Sequence, residues 1–448
     1  MKKVLCLILT LAMIISITAC GSGEKSSNAS GKTGSESQAV VSNGATEETS
    51  AKEIPLTMWS LYSDPNSSDG DAVAFFKSME ILKKKMPNVK IEHTGTENEA
   101  YKVKMKTSAA ANDLPDIFYY WGAGMVKPLV DSKLIMPIND YISDYTKENL
   151  LNGTLNYFTF DNKLYSLPYN LAVVSLYCNK NLFNKYSLKL PESYDDLLKA
   201  VDVFNANNIT PLSLGEKDLW PGIMMYGILG IRMAGADELN AALMGEGDYN
   251  TKGLLAAAEK LQELSKRNCF GNNYMSMTQD DAVALFTQGK SGMMFMGSWI
   301  NSNIEAKDSK IAGATTAINF PKISGGSGDI NEFHGGSGAS FFINSETKYP
   351  ADAVKVVESI TENMSRESFI AGSGSPAWKA DFSDVKDNMN PLSLEIADLT
   401  AKATKYVYYL NVIPDSADSD TIMNQVANLI AGSVTPKKFI ENLQAMRD

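Results

Sequence analysis

Met293 to Met296 is apolar at every position, and its neighbours say how such a run must be housed. A short stretch without polar alternation suits a strand buried on both faces of a parallel sheet, between helical layers. Before it, Asp280 to Thr287 carries Ala282, Leu285 and Phe286 at helical spacing, and Gly289 ends that helix cheaply in the left-handed region. After it, Gly297-Ser298 breaks the strand and presents Trp299 just beyond its carboxyl end. In an open α/β sheet, ligands bind at that end. Trp299 is therefore a candidate contact, and a core residue at a strand end is the plain alternative.

The same alternation recurs along the chain. Ile54 to Trp59 is a predicted strand. Ala72 to Met86 is a predicted helix, with Phe75, Phe76, Met79 and Leu82 every three or four residues. Val89 to His93 is a strand, Asn98 caps a helix through Ala111, and Pro115 to Tyr120 is a third strand. Strand, helix, strand, helix, strand implies a parallel sheet with right-handed crossovers. Helical turns follow at Val126–Leu134 and Ile138–Tyr145, then a hairpin over Phe158–Pro168 with Asp161-Asn162 at its tip. Leu171 to Cys178 is a strand, Pro191 opens a helix to Asn205, and Leu219–Leu229 and Gly253–Arg267 are helical. Ala312–Phe320 and Ala339–Ile343 read as strands around a Gly/Ser loop. Helices are expected at Ala351–Asn363, Leu394–Tyr409, Ser419–Ala431 and Pro436–Arg447. With 448 residues, one core is not enough, and two α/β lobes are the simplest packing.

The N-terminus has its own logic. Met1-Lys2-Lys3 precedes an apolar run, Val4–Ile17, too short to span a bilayer comfortably, and Ile17-Thr18-Ala19-Cys20-Gly21 follows. Residues 1–19 read as a signal peptide, and Cys20 as a lipid attachment site in the manner of a bacterial lipobox. Residues 20–52, rich in Ser, Gly and Thr and without an aromatic residue, read as a flexible tether. Loss of Lys2 and Lys3 takes the formal net charge from −11 to −13, which argues against nucleic acid as a partner. Cys178 and Cys269 remain in the mature chain. Their spacing is no metal pattern, and two buried free thiols are favoured over a disulfide.

Several segments together resemble the family 1 extracellular solute-binding proteins, the sugar receptors of ABC importers. They are the lipobox and tether, the early strand ending in Trp59, and Pro115-Asp116-Ile117-Phe118. Next come Leu164-Tyr165-Ser166-Leu167-Pro168-Tyr169 and Tyr177-Cys178-Asn179-Lys180. Gly289-Lys290-Ser291-Gly292-Met293-Met294, Gly297-Ser298-Trp299 and Gly335-Gly336 complete the set. The resemblance implies an α/β, two-lobed periplasmic-binding-protein-like fold with hinge strands between the lobes. Carried onto this chain, lobe one is 54–170 plus 317–363 and lobe two is 171–316 plus 364–448. Crossings are expected near Tyr169–Val174, Thr315–Ile318 and Asn363–Ser368. The implied role is capture of a mono- or oligosaccharide and its delivery to a permease, by a monomer lipid-anchored on the outer face of the cell membrane. No cofactor and no metal are expected.

A sugar offers C–H faces to aromatic rings and a rim of hydroxyls to polar groups. Trp299 is the first candidate platform, because the family often places an aromatic at this bend. Trp121 and Trp220 follow, and Tyr169 lies at the first crossing. Ser60, Tyr62 and Asp64 follow the first strand, Glu97 the second, and Asp218 precedes Trp220. Carboxylates accept two hydroxyl hydrogens at once. Gly335, Gly336 and Ser337 can bring backbone N–H groups near a ligand. For each aromatic the alternative is core packing, and for each acid a solvated loop charge.

Rival readings are a lipoprotein glycoside hydrolase, which needs a carboxylate pair that no spacing marks here, and a binding protein for another solute. A serine hydrolase is weaker still. His334-Gly335-Gly336-Ser337-Gly338 is faintly like an oxyanion-hole loop, but no G-x-S-x-G elbow exists. Walker and dinucleotide motifs are absent from the sequence.

Overall fold

The computed structural model describes residues 52–446, apart from 152, 386–387 and 415. The signal segment, Cys20 and most of the tether lie outside the described residues.

Four strands form the first sheet, in the order Ala339–Ile343, Ile117–Trp121, Ile54–Ser60, Val89–Gly95. The three early strands run parallel, as their helical connections require, and Ala339–Ile343 pairs antiparallel with Ile117–Trp121. Helix Gly70–Lys85 buries Ala72, Phe75 and Leu82 and packs along the 22-residue helix Pro350–Ala371.

The larger sheet is built on Asn170–Asn179. The apolar run lies in strand Ser291–Gly297, every residue of which is buried. That strand runs antiparallel to Asn170–Asn179 and parallel to Thr210–Ser213, so the sheet is mixed rather than parallel. Burial on both faces sets the apolar pattern, and either strand direction provides it. Phe75, Phe118, Phe341 and Val357 belong to the core of lobe one. Leu197, Phe204, Met225, Leu261 and Phe295 belong to that of lobe two, with a second cluster around Tyr177, Phe286 and Met296.

Three short segments lie side by side between these cores. Ala172 and Val173 pair with Gly336 and Gly335, while Asn170 and Leu171 pair with Pro376 and Ser375. The boundary expected at 317 therefore moves. Thr315–Ile318 pairs along Leu176–Asn179, and Glu332–Gly336 also joins the larger sheet, so the chain re-enters lobe one at Ala339. The crossing expected at Asn363–Ser368 is instead interior to helix Pro350–Ala371. Met364, Ala377 and Trp378 all sit in the core of lobe one. The Trp378 indole N–H donates to the Pro168 carbonyl at 2.7 Å.

Local differences have local reasons. Glu97, not Asn98, caps helix Asn98–Ala110, its carboxylate accepting the N–H groups of Glu99 and Ala100. Ser193 rather than Pro191 starts helix Tyr194–Ala206, because it forms a reciprocal capping box with Asp196. Ser143 similarly starts a helix at Asp144–Asn149, and residues 138–143 are not helical. The hairpin forms as read, with Asp161 and Asn162 at φ of 49° and 60°. The helix expected over Leu394–Tyr409 divides into helix Pro391–Thr400 and strand Lys405–Val407, which Glu332–His334 recruits as a sheet partner. Cys178 and Cys269 are buried free thiols. No helix among the described residues is long and apolar enough to cross a membrane.

Candidate functional site

The carboxyl ends of the strands carry the candidate side chains. Strand Ser291–Gly297 ends in the turn Ser298–Ile300, which holds Trp299 partly exposed. The indole folds back across Gly297: a Cβ there would come within 2.0 Å of the ring. No residue with a side chain fits beneath the indole in this pose.

From Trp299 an aromatic ladder runs in both directions. Trp220 lies 6.3 Å away, centroid to centroid, and Tyr409 lies 5.9 Å away at 87°. Tyr409 meets Tyr408 at 4.6 Å, and Tyr408 stacks on Tyr157 at 4.4 Å. The ladder thus starts in lobe two and ends at Tyr157, just before the lobe-one hairpin. A second aromatic group stands on lobe one. Trp121 meets Tyr119 at 5.5 Å, Tyr119 meets Tyr62 at 5.7 Å, and the hydroxyls of Tyr62 and Tyr169 lie 3.2 Å apart. These distances and tilts are those of favourable aromatic pairs.

Acids line the same region. Asp71 is reached by the Tyr169 hydroxyl and the Asn170 amide, and burial, with Asp69 adding to it, pushes its carboxyl up to about 7. Burial also raises Asp69, and Asp280 from lobe two adds to the effect. Asp280 is raised in turn by burial and then by the charges of Glu97 and Asp218. Glu216, fully buried against Gly222, is pushed up to about 8 by burial.

Trp299 and Trp220 stand together, with Asp218 holding the Gln279 N–H at 2.7 Å two residues before Trp220, while Trp121, Tyr62 and Tyr169 belong to the separate lobe-one group. Other candidates have structural work. Ser60 is fully buried, with its hydroxyl 2.8 Å from the His93 ring and accepting the Tyr62 N–H. Asp64 is exposed and closes a turn by accepting the Asn66 N–H. Gly335 and Gly336 lie in the pairing between the lobes at φ of 149° and 152°, a region open to glycine. Ser337 beside them is 4% exposed. His334 is buried with Nδ1 on the Val407 carbonyl, and burial lowers its pKa to about 4. Its surroundings are those of a packed core residue rather than a hydrolase loop.

Tyr157, Tyr408, Tyr409, Asp69, Asp71 and Asp280 were not among the sequence candidates. The run Tyr406-Val407-Tyr408-Tyr409 is dense in aromatics, but helical spacing absorbed it. Two surface hollows, about 510 Å³ beside Glu259 and Pro436 and about 190 Å³ beside Ser143 and Glu358, lie away from these residues and hold none of them.

Comparison with known proteins bears on the fold and the family. Residues 70–367 match the profile of the bacterial extracellular solute-binding protein family. An ABC transporter extracellular-binding protein of Pyrococcus horikoshii is 25% identical over 316 residues, 68% of this chain and 66% of its own. The multiple sugar-binding protein of Streptococcus mutans is 24% identical over 303 residues, 64% of this chain and 69% of its own. The aligned parts thus span about two thirds of these relatives. A structure from work on xylan utilization by Caldanaerobius polysaccharolyticus superposes with a TM-score of 0.83 at 31% identity, covering 88% of this chain and 100% of that one. A chitin oligosaccharide binding protein shares the fold at a TM-score of 0.79 and 24% identity. With its two α/β lobes and its matched core, the chain belongs to the family 1 bacterial extracellular solute-binding proteins.

Proposed function

We propose that this protein is the sugar-capturing receptor of an ABC importer, held on the outer face of the cell membrane by lipid on Cys20. The observation that carries the reading is the ladder Trp220, Trp299, Tyr409, Tyr408, Tyr157, which passes from one lobe to the other. Of these rings, Trp220, Trp299 and Tyr157 are partly exposed and suit the C–H faces of a sugar, while the buried Tyr408 and Tyr409 back them from the core. One relative is named for multiple sugars and one similar structure comes from work on xylan utilization, which supports a mono- or oligosaccharide as the guest. Ligand touching both lobes favours their closed arrangement, and the permease reads that arrangement. The three paired segments at Asn170–Val173, Gly335–Gly336 and Ser375–Pro376 form the hinge. No bond of the sugar is broken in this scheme.

A thermal-shift screen against mono- and oligosaccharides tests it, since a guest that binds only the folded state raises the melting temperature. The Trp299→Ala variant is expected to keep its fold and lose about thirtyfold or more in affinity for the hit, the usual penalty for truncating a central anchor. Unchanged affinity in that variant, or cleavage products from the incubated sugar, would sink the reading.

A further inference from the structure

We propose that the cleft is a charge filter, taking neutral sugars and amino sugars and refusing sugars that carry an acidic group. The inference rests on the sugar-capture reading and narrows its substrate class.

Four carboxylates are each tied to the start of a helix; Asp218 lies two residues before Trp220, and Gly70, next to Asp69, donates to the Ser302 hydroxyl, which lies 3.5 Å from the Trp299 carbonyl. Asp69 caps Gly70–Lys85, accepting the Ala72 N–H at 2.8 Å. Glu97 caps Asn98–Ala110 through the N–H groups of Glu99 and Ala100. Asp280 lies in the first turn of Gln279–Thr287, and Asp218 accepts the Gln279 N–H that opens that turn. A helix start with free N–H groups is the ordinary cradle for an anion. Here the chain's own carboxylates occupy donors of all three starts, so an incoming carboxylate meets negative charge where it needs hydrogen-bond donors.

Among the described residues, none of these four acids appears in an ion pair. Lys102 reaches over the Trp121 ring at 5.5 Å, but Glu99 holds its amine at 2.7 Å. The Asp280 carboxyl is already raised by burial and then by the charges of Glu97, Asp218 and Asp281. A uronate between them adds a further like charge.

A second observation says what is awaited instead. Gln279, flanked by Asp280 and bonded through its N–H to Asp218, is 7% exposed, and neither atom of its amide has a partner among the described residues. The buried Trp220 indole N–H is likewise without a partner. An unsatisfied buried amide calls for a group that both donates and accepts, and a hydroxyl does both. Carboxylates beside it accept from hydroxyl or ammonium equally.

Isothermal titration with matched probes decides the matter: neutral xylo-, cello- and chito-oligosaccharides, glucosamine oligomers, and galacturonate oligomers with glucuronate-substituted xylo-oligosaccharides. The neutral or amine-bearing probes are expected to bind, and acidic counterparts to bind about tenfold more weakly or worse, with the gap narrowing as salt rises. The Asp280→Asn variant is expected to narrow the same gap at low salt while keeping its melting temperature. Equal or tighter binding of the acidic probes overturns the filter and leaves sugar capture intact. Failure of every sugar to bind overturns both.

Discussion

The Tyr169 hydroxyl donates to the Asp71 carboxylate at 3.2 Å, and the neighbouring Asn170 amide donates to its other oxygen at 3.3 Å. Asp71 lies in the first turn of helix Gly70–Lys85, and Asn170 begins the strand that leaves lobe one. The pair therefore joins a lobe to its hinge, and it does so through a carboxyl group that burial keeps from ionising easily.

That arrangement makes stability depend on pH. The Asp71 pKa is raised from 3.8 to about 7, so the folded state favours the proton. Its contribution is complete below 3.8 and is lost as pH rises through 7. Asp71→Asn, which stays neutral, is expected to raise the melting temperature by a few degrees at pH 8 and to change it little at pH 4. Calorimetry at the two pH values checks this, and an equal shift at both would rule out ionisation as the cause.

His334 works in the opposite direction. Its pKa is lowered from 6.5 to about 4 by burial, so its neutral form belongs to the fold. The contribution is present above 6.5 and is lost as pH falls through 4. His334→Gln is expected to flatten the loss of stability between those values. Denaturant melts at pH 7 and pH 4 measure the slope, and an unchanged slope assigns the acid sensitivity elsewhere.

Gly297 supports the indole of Trp299 by having no side chain. Gly297→Ala places a methyl group within 2.0 Å of that ring and must displace it. Sugar affinity is expected to fall by about tenfold or more, as for loss of an anchor, with the sheet retained. Titration and far-ultraviolet circular dichroism separate the two effects. Full affinity would show that the pose of Trp299 is dispensable.

Gly335 tests the hinge. At φ 149° an alanine is strained, and its Cβ would lie 2.3 Å from the Ala172 carbonyl oxygen. Gly335→Ala is expected to cost about 1–3 kcal/mol of stability and to weaken binding, because the paired segments must shift. Urea unfolding gives the first quantity and titration the second. A variant as stable as the parent would mean the hinge tolerates a side chain there.

Most elements of the two lobes were legible because they depend on short-range rules. Phe75, Phe76, Met79 and Leu82 recur at the helical period, Asp161-Asn162 suits a tight hairpin, and Met293 to Met296 suits a buried strand. Of the candidates, Trp299 and Trp121 could be picked out because they stand at strand ends, whereas Trp220 came from the family resemblance. Tyr408 and Tyr409 could not, since their segment is shaped by pairing between Lys405–Val407 and a strand some seventy residues earlier. The pairing of Thr315–Ile318 along Leu176–Asn179 was equally beyond any local pattern.

By itself, then, the sequence determined the alternation of strand and helix, the export and lipidation expectation, the net negative charge, and the bend that carries Trp299. Tertiary structure alone decided which strands run antiparallel, where the chain changes lobe, and which tyrosines and acids stand beside the tryptophans. The reason is range. Side-chain period and capping act within a few residues, whereas pairing and charge contacts join segments that are remote in the chain and adjacent only once folded.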